Sequence, residues 1–356
     1  MLAILYILFF GCVIGLYYLG WYLNDRITKK SKQETYNLSQ ISVVIPFRNE
    51  VSNIPNLLAS IKQLTHLPLE FIWVNDHSED TSLETLKNLS PNHQLLHLPN
   101  GQSGKKAAIR AGIAQTKGSY ILTWDADISV PKTYFEHLQK IPISALSIFP
   151  VCMQANSIWE VFYELDYYFL SSINVAVSGF TNPIVASGAN LLFEKESFLA
   201  CDSIQQHQHI ASGDDQFLLD DFKKVGKSMQ VIPIHGLGVT TETPHSLSSF
   251  MQQRLRWIGK SSKIKDITTF VISGLGVIYL ALFIFLLFTP FWFYVFLVKI
   301  MVDMFIFLPY LHRLNRTKIA WVTPFFTCMY PIYFLVIVLF SLGLKTHWKG
   351  RSVDSF

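Results

Sequence analysis

Charge is scarce in this chain. Only 15% of its 356 residues are Asp, Glu, Lys or Arg, and the net charge of +4 is small and scattered. A nucleic-acid binder needs a concentrated basic face, so that class is excluded. Cysteine is rarer still. Cys12 and Cys328 lie in apolar stretches, while Cys152 and Cys201 stand alone with no C-x-x-C spacing. That argues against both a disulfide framework and a zinc site. His207-Gln208-His209 has no further ligand spacing around it. It reads as a solvated loop, because a metal site needs three or four converging ligands. Also missing are a Walker loop and a G-x-G-x-x-G after the first strand, which disfavours P-loop ATPases and Rossmann dehydrogenases. The N-terminus lacks a basic n-region and a small-residue cleavage site, so it reads as an anchor and not as a removed signal peptide.

What the chain has in excess is apolar surface. Half of its residues are hydrophobic and 28 are Phe, concentrated towards both ends. Met1–Leu23 is long enough to cross a hydrocarbon core of about 30 Å. Arg26, Lys29, Lys30 and Lys32 follow it, which predicts an external N-terminus and a cytoplasmic central region. Three more apolar stretches cover Ile267–Phe288, Phe291–Leu311 and Ile319–Leu344. The basic link from His312 to Lys318 is expected at the cytoplasmic face. Four full crossings would then put the basic tail, Lys345 to Arg351, outside. Pro324 and Pro331 offer a re-entrant or kinked path instead, so two to three C-terminal spans are expected. Lys299 and Asp303, four apart, share a helix face and read as a self-neutralising pair within a span.

The middle of the chain alternates strand and helix signals. Ile41-Ser42-Val43-Val44-Ile45-Pro46 is a buried-strand run, and Ile54, Leu57, Leu58, Ile61 and Leu64 fall at helical spacing. Glu70–Val74 predicts a second strand, Lys105–Ala114 a helix and Tyr120–Trp124 a third strand. This order implies a parallel sheet covered on both faces, with ligands beyond the carboxyl ends of its strands. Asp76 and the pair Asp125 and Asp127 fall there. Two carboxylates one residue apart on a turn supply hard oxygen ligands for Mg²⁺ or Mn²⁺, and such a cation can bridge a diphosphate.

Six motifs occur in order: Val43 to Glu50, Val74-Asn75-Asp76-His77-Ser78, Gly104-Lys105, Trp124-Asp125-Ala126-Asp127, Gly213-Asp214-Asp215, and Gln253-Arg254-Leu255-Arg256-Trp257. Together they resemble the membrane-bound family 2 glycosyltransferases of the GT-A fold that carry a Q-x-x-R-W motif. The match runs from about Ile41 to Gly259, and Trp348-Lys349-Gly350-Arg351 resembles a tail of lipid-directed members. The resemblance implies an inverting enzyme that uses a nucleotide-sugar donor and a lipid or glycan acceptor. It implies that Asp76 contacts the nucleobase, Lys105 the donor, Asp125 the ribose or the metal, and that Asp127 binds the metal. Asp215 matches the catalytic base, Arg256 faces the diphosphate, and Gln253 and Trp257 meet the acceptor. Arg110 departs from the family's usual Asn, and Asp214 from its frequent Glu.

The expected architecture is an α/β, GT-A-type (Rossmann-like) domain with transmembrane helices at both ends. Residues 1–24 form an anchor, 25–265 a cytoplasmic catalytic domain with interfacial helices, 266–345 the C-terminal spans and 346–356 a basic tail. An integral protein of the cell inner membrane is implied. Three other functions fit parts of the pattern: a processive polysaccharide synthase, a sugar-nucleotide pyrophosphorylase, and a transporter with a cytoplasmic domain. More modest readings also exist for single motifs. Asp214 and Asp215 suit any helix N-terminus, Gln253–Trp257 suits an interfacial anchor, and the aromatic run from Trp159 to Phe169 suits either the bilayer or an ordinary core.

Overall fold

Ile41–Phe47 (β1) is buried at every position, as its β-branched run requires of a central strand. The computed structural model describes residues 2–29, 34–87, 91–201, 214–261, 266–341, 346–348 and 351–353. Lys30, Lys32, His207 to His209, Gly213, Lys345, Lys349 and Gly350 lie outside these residues. The chain divides into two compact units. One comprises Arg26–Gln154 and Val185–Glu242, the other Met1–Asp25, Ala155–Ile184 and Thr243–Phe356.

The first unit is built on a seven-stranded sheet. Its strands are β1, β2 (Glu70–Asn75), β3 (His93–His97), β4 (Tyr120–Trp124), β6 (Leu146–Ile148), β8 (Asn190–Glu194) and β9 (Met229–Val231). The order is β3-β2-β1-β4-β8-β6-β9. The first four are mutually parallel, whereas β8 runs antiparallel to both β4 and β6. The sheet is therefore mixed and not parallel throughout. The physical reason is connectivity. The chain leaves this unit after Gln154 and returns at Val185, so β8 is not delivered by a helical crossover from β4. A smaller sheet joins β5 (Ile128–Ser129), β10 (Val239–Glu242) and β7 (Val151–Gln154).

Among the described residues, this unit has the helices α2 (Ile54–Lys62), α3 (Ser82–Thr85), α4 (Lys105–Gln115), α5 (Tyr134–Leu138), α7 (Lys195–Cys201) and α8 (Asp214–Lys224). Each predicted element from β1 to β4 is present to within a residue or two. α4 lies tight on β1 and β2 because Gly112 has no side chain. A Cβ there would come within 2.6 Å of a Val44 methyl. The core under these helices includes Phe71, Trp73, Trp124, Tyr134 and Phe193, all essentially inaccessible to solvent.

The second unit is helical: α1 (Leu2–Lys29), α6 (Ile158–Ser178), α9 (Leu247–Ser261), α10 (Ile267–Leu287), α11 (Trp292–Arg313) and α12 (Thr323–Ser341), with a short hairpin of β11 (Thr346–Trp348) and β12 (Arg351–Val353). Among the described residues, Ile267–Phe285, Trp292–Arg313 and Thr317–Ile337 are long and apolar enough to cross a membrane. α1 has 28 residues, about 42 Å of helix. It meets α6 backbone to backbone. A Cβ on Gly20 would sit 2.2 Å from the Ala176 carbonyl oxygen, and one on Gly179 would sit 2.0 Å from that of Gly20. Tyr17 of α1 and Ser172 of α6 both donate to the Ile306 carbonyl of α11, at 2.6 and 2.9 Å. Lys299 and Asp303 form a buried pair, with the ammonium 2.6 Å from both carboxylate oxygens. Thr327 of α12 donates to the same carboxylate at 2.7 Å, so the pair also joins α11 to α12.

Candidate active site

The carboxyl ends of β1, β2 and β4 carry the acidic residues. After β1 and β2 the chain turns sharply through Asn49 and His77, both at φ 53°. Non-glycine residues seldom adopt this conformation, and here hydrogen bonds hold it. Ser78 Oγ accepts from the Asn49 amide at 3.1 Å, and Asn49 Oδ1 accepts from the Glu79 amide at 2.8 Å. His77 Nε2 lies 2.9 Å from the Gln102 carbonyl oxygen. Asp76 is buried between these turns, and its Oδ2 accepts from the Gly104 amide at 2.9 Å. Gly104 caps α4 at φ 97°, which glycine tolerates without strain. That geometry starts α4 with Lys105 beside the end of β4. The Lys105 ammonium reaches Asp125 Oδ1 at 2.5 Å.

Like charges crowd this end of the sheet. Asp127 is open to solvent yet walled by protein, and its carboxyl is pushed up to about 7. Desolvation is the leading cause, followed by the carboxylates of Asp125 and Glu50, with Lys105 opposing them. The water that reaches Asp127 tempers the desolvation, and the repulsion from two neighbouring carboxylates fixes the direction. Among the described residues no three His, Cys, Asp or Glu side chains converge as a preformed metal cage.

Asp215 is the second residue of α8. Its Oδ2 accepts from the Gly188 amide at 3.2 Å, and its Oδ1 from the Gln216 amide at 2.8 Å. These two bonds orient the carboxylate at the start of the helix. Asn190 sits opposite Trp124 in the sheet, which places nearby Gly188 at the end where Asp125 begins. Asp215, Gly188 and Thr123 line one small cavity. The ammonium of Lys106 lies 4.6 Å from the Phe217 ring and ties the start of α4 to the start of α8. Asp76, Lys105, Asp125, Asp127 and Asp215 thus occupy one end of one sheet. Of Asp214 only the backbone is described.

Gln253, Arg256 and Trp257 lie on α9, in the helical unit. Arg256 is half-buried, and burial lowers its guanidinium pKa. No carboxylate pairs with it among the described residues. The neighbouring Arg254 is different. It is buried and ion-paired with Asp166 of α6.

Residues 42–142 match the family described as glycosyl transferase family 2, and residues 120–341 match glycosyl transferase family group 2. The second match covers more than half of the chain. The chain belongs to glycosyl transferase family group 2. It is similar to the undecaprenyl-phosphate 4-deoxy-4-formamido-L-arabinose transferase of Proteus mirabilis, 38% identical over 100 residues, which are 26% of this chain and 31% of that protein. The corresponding transferase of Photorhabdus laumondii is 39% identical over 110 residues, 29% of this chain and 34% of its own length. The chain thus spans about a third of the length of these curated relatives. Among solved structures, the mannosyltransferase PcManGT from Pyrobaculum calidifontis, in complex with GDP-Man and Mn²⁺, aligns over 94% of this chain and 97% of its own. The TM-score is 0.51 at 14% identity. That likeness is one of fold, and it places this family member in the GT-A class.

Two participants at the sheet ends of this family member were less legible in sequence. Glu50 stands in the first quoted motif, but nothing in its spacing announces that it faces Asp127. Lys106 follows the recognised Lys105, and only the fold shows that it turns inward onto Phe217.

Proposed function

We propose that this protein is an inverting, metal-dependent glycosyltransferase that moves a sugar from a nucleoside-diphosphate sugar to a membrane lipid, with catalysis on the cytoplasmic side of the cell inner membrane. The observation that carries this is the convergence of Asp125, Asp127 and Lys105 with the helix-terminal carboxylate Asp215 at one end of the sheet. The relatives named for undecaprenyl phosphate, and the structural neighbour solved with GDP-Man and Mn²⁺, support the acceptor and donor classes.

The residues present fit a divalent cation. Two carboxylates, with no complete protein cage among the described residues, would suit an ion that also takes ligands from the donor and from water. Repulsion among Asp125, Asp127 and Glu50 is what a cation relieves. Asp127 and Asp125 would hold it, and when bound it supplies positive charge to the leaving diphosphate.

The chain's own residues do the rest. In this reading Asp76 contacts the nucleobase. Lys105, held by Asp125 in this structure, is available to the anionic donor. Asp215 accepts the proton of the acceptor hydroxyl. The acceptor oxygen then forms its bond to the anomeric carbon as the bond to the diphosphate breaks, and the configuration inverts. A half-buried guanidinium with no carboxylate paired to it among the described residues suits Arg256 to a phosphate. Gln253 and Trp257 bind the acceptor. Nucleotide release by the purified full chain, tested across a donor panel with and without native lipid extract, checks this reading. One donor should respond to the extract and yield a single-sugar lipid. A growing polymer would instead favour a processive synthase, and pyrophosphate exchange without lipid would favour a pyrophosphorylase.

A further inference from the structure

Arg254 occupies a variable position of the Q-x-x-R-W motif, yet it is among the most enclosed charges of the helical unit, 4% exposed. Every side of its guanidinium is used. Nε donates to the Asp166 carboxylate, Nη1 to Gln253 Oε1 at 2.7 Å, and Nη2 to the Tyr163 carbonyl at 3.3 Å. One face lies 4.6 Å from the Phe250 ring and another 4.1 Å from the Trp257 ring. Phe250 in turn stacks on Tyr163 at 4.0 Å, and Trp257 leans on Tyr167 at 5.8 Å. The participants on α9 are 250, 253, 254 and 257, and those on α6 are 163, 166 and 167. Both sets follow helical spacing, so two helix faces meet around one cation.

We propose that Arg254 is a positioning residue, anchored by Asp166, that fixes the orientation of both Gln253 and Trp257. An ion pair alone would not need arginine. A lysine satisfies Asp166 equally as a point charge. Only the planar fork pairs with Asp166, binds Gln253 along its edge and stacks against two rings at once. Burial raises the pKa of Asp166, and the charge and hydrogen bond of Arg254 oppose that effect.

The functional half of this inference rests on the acceptor role proposed for Gln253 and Trp257, so the test separates the two. The full chain, labelled with 5-fluorotryptophan in detergent micelles, gives a ¹⁹F resonance for Trp257 that is identified by its loss in Trp257→Phe. In Arg254→Lys, thermal unfolding should stay close to that of the parent while the Trp257 resonance moves. Acceptor KM should rise about tenfold, with kcat changing less, because a single misplaced aromatic or hydrogen-bonding contact carries roughly that factor. Arg254→Lys combined with Trp257→Phe should raise acceptor KM by less than the product of the two single effects, since Arg254 acts partly through Trp257 and partly through Gln253. An unmoved Trp257 resonance, or fully additive KM effects, overturns the positioning role. If Trp257→Phe leaves acceptor KM unchanged while Arg254→Lys still shifts the resonance, the positioning stands and the acceptor role of Trp257 falls.

Discussion

At the carboxyl ends of the strands, the charges of Asp125 and Glu50 act on Asp127 against that of Lys105, whereas in the helical unit charges meet their opposites in pairs. Arg254 pairs with Asp166, Lys299 with Asp303, and Arg313 with Asp25. Arg316 grips Glu164 with two bonds, at 2.9 and 2.8 Å. Burial raises the Glu164 carboxyl and the Arg316 guanidinium holds it down. The difference separates two uses of charge. Compensated pairs close helices onto one another and leave little capacity for a ligand. Excess charge of one sign costs stability in the empty protein and is relieved by a ligand of the other sign. Arg256 differs, with no carboxylate paired to it among the described residues, and it is proposed to meet an anion.

The largest expected effect breaks the chemistry and leaves the charge excess almost intact. Asp215→Asn keeps the shape and one of the two amide contacts, since its amide nitrogen cannot accept from a backbone N–H, and it removes the proton acceptor. Turnover should fall by about 10²–10⁴ while donor affinity survives. Stopped-assay kinetics alongside equilibrium donor binding check this. Parallel losses in both would make Asp215 a binding or folding element. Retained turnover would point to an acceptor that arrives already ionised, as a lipid phosphate does.

A second prediction addresses the compensated pairs. Lys299→Met strands the Asp303 carboxylate and should destabilise the helical unit by about 3–5 kcal/mol. Lys299→Met with Asp303→Leu removes both charges and should return stability close to the parent. Thermal unfolding in detergent reads both. A double variant as weak as the single would mean that the pair contributes more than its own neutralisation, through Thr327 above all.

Much of the sheet was legible. The runs Ile41–Pro46, Glu70–Val74 and Tyr120–Trp124, and the helix beginning at Lys105, announce themselves by period and branching, and they carry Asp76, Lys105, Asp125 and Asp127 to a common edge. The antiparallel entry of β8 was not legible, because nothing read from the sequence marks Asn190–Glu194 as a strand or fixes its partner and direction. Partners distant in sequence were equally hidden. Lys299 and Asp303 reveal each other by spacing, but Asp166 and Arg254 are 88 residues apart and only the packing of α6 on α9 joins them.

The smallest expected effect is one of sidedness. A reporter fused after Arg316 should report cytoplasm. One fused after Arg351 should do the same, since β11 lies beside α9, the helix that precedes the first C-terminal apolar segment. An external Arg351 would mean that α12 crosses fully.

The contrast between excess and compensated charge is tested most directly by Mn²⁺ binding, followed by electron paramagnetic resonance with a nucleoside diphosphate present. The parent protein should bind Mn²⁺, and Lys299→Met with Asp303→Leu should bind it equally well. Asp127→Asn should lose that binding, because an amide is a poorer ligand for a hard cation. The Asp127 carboxyl, pushed up to about 7, is ionised above that pH and protonated below it. Affinity in the parent should therefore weaken as pH falls through about 7, and level off above it. Mn²⁺ binding that is untouched by Asp127→Asn and flat across this range would contradict the account.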